Sequence, residues 1–168
     1  MIITAVSALD PRMQPGVYKY MRRCAEEGIL TIVLETAREL ATQMAYYSRG
    51  RAPGELVKAY FARCGLWAIT DAETQTINTQ TLYSKHIDKL AIDIAPAKDG
   101  KPWWEAPLRE VWEKMWRIAE EECGLDACAG GKWEAWTRSG RPWDLPHHEY
   151  KFAPSVSPVE NEKTGRVG

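Results

Sequence analysis

Apolar positions along the chain switch between a helical spacing and short β-branched runs. Val17 to Glu27 has helix-forming composition behind Pro15-Gly16 and stops at Gly28. Ile29 to Leu34 is apolar and β-branched, with the length of a buried strand. Arg38 to Arg49 returns to helical character, with Leu40, Met44 and Tyr47 on one stripe, and closes at Gly50. Pro53-Gly54 opens a further short helix, Glu55 to Arg63, ended by Gly65. The Thr-, Gln- and Asn-rich stretch from Asp71 to Tyr83 suits edge strands and turns. Leu90 to Ala95 is the clearest strand, stopped by Pro96 and followed by an Asp99-Gly100 turn. The clearest helix follows Pro107. Leu108, Val111, Trp112, Met115, Trp116 and Ala119 fall on one face, which reads as core packing. The pattern predicts an α+β fold in which helices pack a small antiparallel sheet.

Composition narrows this to a single domain. A chain of 168 residues is long enough for one real core, and 45% hydrophobic with 27% charged residues excludes wholesale disorder. The domain is placed at residues 1–153, with an aperiodic tail over 154–168 that is expected to fray. A net charge of -1 argues against a nucleic-acid binder, which needs a basic face. No run approaches the ~18 apolar residues of a membrane span. The apolar start, Met1 to Asp10, lacks the basic lead of a secretory signal, so residence in the cytosol is expected. Cys24, Cys64, Cys123 and Cys128 form no disulfide framework and read as inert thiols. A structural zinc site from Cys123, Cys128, His147 and His148 would need spacings unlike the usual ones.

All 3 histidines lie in two short segments, Ser84 to Asp93 and Trp143 to Glu149. On a strand, Ala91, Asp93 and Ala95 share one face, so Asp93 has small neighbours and room beside it. A carboxylate in that position is costly to bury without a cation. His86 stands seven positions before Asp93, an odd separation, so the chain must turn or bulge between them to bring both to one ion. In the second segment Pro146 holds Leu145 extended. One histidine there would complete three protein ligands, and Asp144 could serve as base for a water, the layout of an open catalytic zinc site. Spacing does not choose between His147 and His148. A packed histidine, a capping aspartate and a polar surface turn fit the same residues.

The order of these elements resembles the zinc peptidase family of D-Ala-D-Ala carboxypeptidases, D-Ala-D-Ala dipeptidases and phage L-alanyl-D-glutamate endolysins. Ser84-x-His86-x-x-x-x-Ala91-x-Asp93 is similar to the family's S-x-H-x-x-G-x-A-x-D, and Asp144-x-Pro146-His147 to its D-x-P-H. Gly130-Gly131-x-Trp133 resembles the G-G-x-W of the endolysin branch, and Arg38, Gln43 and Gly50-Arg51 a helix pattern upstream. The resemblance covers residues 16 to 150. It implies Zn2+ held by His86, Asp93 and His147 in a cleft on the sheet, with Asp144 as general base. Arg38 would bind the oxygen of the tetrahedral intermediate, Ser84 would orient substrate or a ligand, and Gln43 would support the site. The implied activity is hydrolysis of the L-Ala–D-Glu bond of peptidoglycan stem peptides by a monomer that waits in the cytosol for release to the wall. A D-Ala-D-Ala carboxypeptidase or dipeptidase, or a non-catalytic metal-binding wall-recognition domain, is the alternative. The chain departs from the pattern at three places: Lys89 for glycine, Ala37 for an aromatic residue, and His148 for phenylalanine. A left-handed backbone at Lys89 would cost about 1–2 kcal/mol.

Overall fold

The computed structural model describes residues 1–127 and 144–152. Gly130-Gly131, Cys128, Trp133, Trp136, Trp143 and the tail from 154 lie outside the described residues. Chain order is α1 (Gln14–Glu26), β1 (Thr31–Glu35), α2 (Leu40–Ser48), α3 (Gly54–Arg63), α4 (Asp71–Thr74), β2 (Ala91–Lys98), β3 (Lys101–Pro102), α5 (Glu113–Glu122), β4 (Leu125–Ala127) and β5 (His147–Tyr150). The sheet runs β1-β2-β5-β4 with every pairing antiparallel, and β3 hairpins onto β2. This is the α+β architecture the pattern predicts.

Helix α1 begins at Gln14, three residues early, because Pro15 fits a first turn whose N–H groups need no helical partner. It lies close against the C-terminal end of α5. A Cβ at Gly16 would stand 2.5 Å from the Cys123 carbonyl oxygen, so only glycine permits that approach. Tyr20, Val17 and Cys24 from α1 join Met115, Trp116 and Ala119 from α5 and Ile92 and Ile94 from β2 in the main core. The Trp112 and Trp116 rings are buried, as their helical stripe predicts. The helix they share opens with a π turn over Leu108–Trp112 before it becomes regular. Burial pushes the Cys24 thiol up to about 12, which suits an inert core thiol. A second, smaller cluster joins α2 and α3 through Ala45, Tyr46, Val57 and Phe61, with Ile69.

Three expectations are corrected. First, β2 does not stop at Pro96 but runs to Lys98. The Pro96 carbonyl accepts from Trp103 N–H, so the ring nitrogen faces the same side, where only the two-residue β3 borders the strand. The missing donor costs the ladder nothing there. Second, among the described residues the stretch 71–83 holds no strand. It opens as α4, whose Thr70 hydroxyl accepts from Glu73 N–H while Glu73 accepts from Thr70 N–H, a reciprocal cap. Third, the Leu40 and Met44 stripe of α2 faces outward, 57% and 54% exposed. The buried side carries Thr42, Gln43, Ala45 and Tyr46, because that side meets the residues around Arg38.

Candidate active site

Strand register builds the centre of the site. Asp93 on β2 stands directly opposite His147 on β5 and Glu35 on β1, so the three leave one face of the sheet in a row. Glu35 reaches that face through an irregularity in β1. Val33 pairs with Ile94 and Glu35 with Asp93, so Leu34 is an extra residue, a bulge. An unbroken ladder would set Leu34 opposite Asp93 and point Glu35 at Ile92 in the core.

His86 arrives by a different device. Residues Ser84 to Leu90 form a tight helical turn that closes with Leu90 N–H donating to the Lys85 carbonyl and Lys89 N–H to the His86 carbonyl. That pair of bonds needs a left-handed residue at Lys89, whose φ is 62°. The turn brings His86 onto the same face as Asp93 despite their odd separation. The Ser84 hydroxyl oxygen accepts the His86 N–H at 3.3 Å and so caps the turn. The His86 carbonyl in turn accepts Arg38 N–H at 3.0 Å, tying the two segments together.

The donor atoms converge. His86 Nε2 lies 3.3 Å from Asp93 Oδ1 and 3.2 Å from His147 Nδ1, and His147 Nδ1 lies 3.0 Å from Asp93 Oδ1. Bonds of about 2.0 Å to a tetrahedral ion set ligand atoms about 3.3 Å apart, so the spacing fits zinc. It is the one such cluster of three among the described residues. The tautomers fit as well. His86 Nδ1 is 2.6 Å from the Thr36 carbonyl oxygen, which only accepts, so the proton sits on Nδ1 and the Nε2 lone pair faces the cluster. His147 Nε2 is 3.3 Å from Glu149 Oε1, so it donates outward and leaves Nδ1 for the ion. Burial alone would push the Asp93 carboxyl up, but hydrogen bonds from His147 and His86 win and hold it well below the usual carboxylate range. Burial likewise opposes charge on His147, yet its bonds to Asp93 and Glu149 push it up to about 10. This pocket is made for positive charge.

The other expected residues surround this centre. Arg38 Nη2 is 4.0 Å from Asp93 Oδ2. Its Nε and Nη2 donate to the two oxygens of Glu35 at 3.0 and 2.5 Å, and Nη1 donates to Gln43 Oε1 at 2.7 Å. Gln43 is fully buried and its amide donates to the Thr81 carbonyl at 2.7 Å, which makes it the support the sequence suggests. Asp144 lies three residues before His147, whose N–H donates to its carbonyl oxygen at 3.2 Å. The residue is exposed, in a left-handed conformation with φ 58°. Lost hydration raises its carboxyl above the ordinary value; His147 pulls it down and Asp93 pushes it up. Trp116 Nε1 donates to the Leu145 carbonyl at 3.1 Å and fixes the loop between Asp144 and His147.

His148 is not a ligand. Its ring is fully buried on the opposite face, with Nδ1 donating to the Pro146 carbonyl at 2.7 Å and Nε2 accepting from the Tyr20 hydroxyl at 3.1 Å. That pairing, with Cys123 in the main core, leaves no cysteine–histidine zinc site among the described residues. Sequence reasoning missed Glu35 and the Thr36 carbonyl, and gave Glu149 no role. Strand alternation from His147 is the signal that finds Glu149; the bulge that delivers Glu35 has none.

Comparison of the sequence with known protein families and with characterised proteins gives no match. Comparison of the fold does. The vancomycin-resistance D,D-pentapeptidase VanY of a VanB-type cassette, solved with Zn(II), superposes with a TM-score of 0.51 at 16% identity, over 85% of this chain and 72% of that one. The L-Ala D-Glu endopeptidase ChiX of Serratia marcescens gives 0.50 at 19%, over 90% and 91%. The D,D-dipeptidase VanXYg, bound to a D-Ala-D-Ala phosphinate analogue, gives 0.53 at 16%, over 87% of this chain and 51% of that one. The chain thus has the fold of these D,D-peptidases and of an L-Ala D-Glu endopeptidase, with a His-Asp-His triad of its own on the sheet.

Proposed function

We propose that the protein is a zinc-dependent peptidoglycan peptidase that cuts the L-Ala–D-Glu bond of stem peptides and acts in lysis of the cell wall. The observation that carries the peptidase reading is the His86–Asp93–His147 cluster, whose donor spacing and outer hydrogen bonds suit zinc within a peptidase fold. The choice of bond is supported by the Gly130-Gly131-x-Trp133 resemblance to the endolysin branch and by the end-to-end likeness to ChiX.

When bound, zinc supplies a Lewis acid that acidifies water and polarises a carbonyl. Asp144 accepts the proton of the attacking water and returns it to the leaving amine. Arg38 donates to the scissile carbonyl oxygen as negative charge gathers there. Ser84, at the mouth of the turn that carries His86, orients the peptide.

Replacing Asp144→Asn tests this. Hydrolysis of purified peptidoglycan falls about 100- to 10,000-fold while metal analysis shows zinc retained. In the wild-type digest, mass spectrometry finds new N-terminal D-glutamate. Released D-alanine instead would reassign the bond to a D-Ala-D-Ala peptidase. Zinc bound with no product of either kind would leave a wall-recognition domain.

A further inference from the structure

Glu35 is a buried carboxylate, 7% exposed, that the mechanism above does not use. Three features of its placement go together. A bulge at Leu34 turns it from the core face to the Asp93 face. Both its oxygens accept from Arg38, one from Nε and one from Nη2, at 3.0 and 2.5 Å. The guanidinium is held on its other sides as well, by Gln43 at 2.7 Å and by the Tyr46 ring 4.9 Å from its carbon. Among the described residues two N–H bonds of the guanidinium stay uncommitted, one on each Nη, and Nη2 is the atom 4.0 Å from Asp93 Oδ2.

We propose that Glu35 is a positioning residue that locks Arg38 with its free N–H edge toward the metal cluster, ready for a substrate oxygen. The inference rests on the reading in which Arg38 acts on the scissile carbonyl. Two physical needs meet in one carboxylate. An arginine side chain has many rotamers, and a donor that must meet charge as it develops gains most when it is fixed beforehand. A permanent cation 4.0 Å from a metal ligand also repels the metal, and the fork to Glu35 offsets that charge without touching the donors of the ion. The bulge is the backbone's way of delivering the carboxylate, since an unbroken strand would bury it against Ile92.

The test compares Glu35→Gln, Glu35→Asp, Arg38→Ala and the Glu35→Gln/Arg38→Ala double variant, each loaded with zinc. Glu35→Gln keeps the volume and one acceptor but loses the fork. Its kcat on a stem-peptide substrate falls between about 10- and 100-fold with KM within about twofold, and zinc stoichiometry stays unchanged. In the Arg38→Ala background the same change costs nothing further. In the metal-free wild type, NMR shows slow exchange of the Arg38 Nε–H, which becomes fast in Glu35→Gln. A lowered melting temperature with unchanged kcat would make Glu35 a structural staple only and overturn the inference. If Arg38→Ala is inactive while Glu35→Gln keeps wild-type kcat, the inference fails and the role of Arg38 stands. If Arg38→Ala retains activity, the role of Arg38 itself fails. Should Glu35→Gln not fold, Glu35→Asp keeps the countercharge and withdraws the fork, and wild-type kcat there overturns the proposal, as does fast Nε–H exchange in the wild type.

Discussion

On β5, His147 and His148 are covalent neighbours whose rings leave the strand on opposite faces. His147 looks onto Asp93, Glu149 and His86, and the two carboxylates push its hold on a proton up to about 10, the same pull that favours a metal ion at Nδ1. His148 looks into the core, where burial holds it down to about 4 and both ring nitrogens find neutral partners. Two identical side chains thus differ in their hold on a proton because strand geometry gives one a row of carboxylates and the other a tyrosine. Position along the chain says little about a histidine; the face it occupies says nearly everything.

The largest expected effect separates the two by substitution. His147→Ala removes one of three donors, so the purified protein loses stoichiometric zinc and its hydrolytic activity. His148→Phe keeps both, since phenylalanine fills the same core space and the ligand face is untouched. The cost there falls on the Tyr20 hydroxyl, which loses its His148 acceptor and keeps only the weaker Cys24 thiol beside it, for about 1 kcal/mol or more that thermal denaturation measures.

A smaller change tests what makes His147 a ligand. Glu149→Ala removes the acceptor of its outer Nε2–H, and zinc affinity measured by chelator competition drops by about 10- to 100-fold with the three donors intact. Unchanged affinity would mean that the strand alone orients the ring.

The smallest effect concerns acid. The folded-state pKa of His148 lies below its unfolded value of 6.5, so the unfolded chain takes up the proton first. Stability from this residue is complete above 6.5 and is lost as pH falls through about 4, by roughly 3 kcal/mol in all. His148→Phe flattens that part of the acid unfolding curve. An unaltered curve would show that the buried ring does not govern it.

The triad was legible because its motifs are local and ordered, yet the choice of His147 over His148 came from resemblance and needed strand register to explain it. The helices were readable from periodicity wherever they face the main core, as with Trp112 and Trp116. They were misread where function inverts the pattern. In α2 the buried side is polar at Thr42 and Gln43 to serve Arg38, while Leu40 and Met44 face outward. The α4 helix was announced by Thr70 and Glu73 three residues apart, a capping signal hidden in a strand-like composition. Glu35 could not be read at all, since alternation assigns it to the core and one inserted residue reverses that.

The turn that carries His86 bears on the order in which the protein assembles. Its closing bonds join residues three to five apart, and Asp93 follows within the next strand, so two of the three donors meet through nearby chain. His147 comes from 54 residues beyond Asp93 and waits for β5 to enter between β2 and β4. Closing that long loop carries the larger entropic cost. A chain that stops short of β5 carries two of the three donors, and full coordination requires the complete sheet. Metal retention therefore reports which molecules have β5 in place.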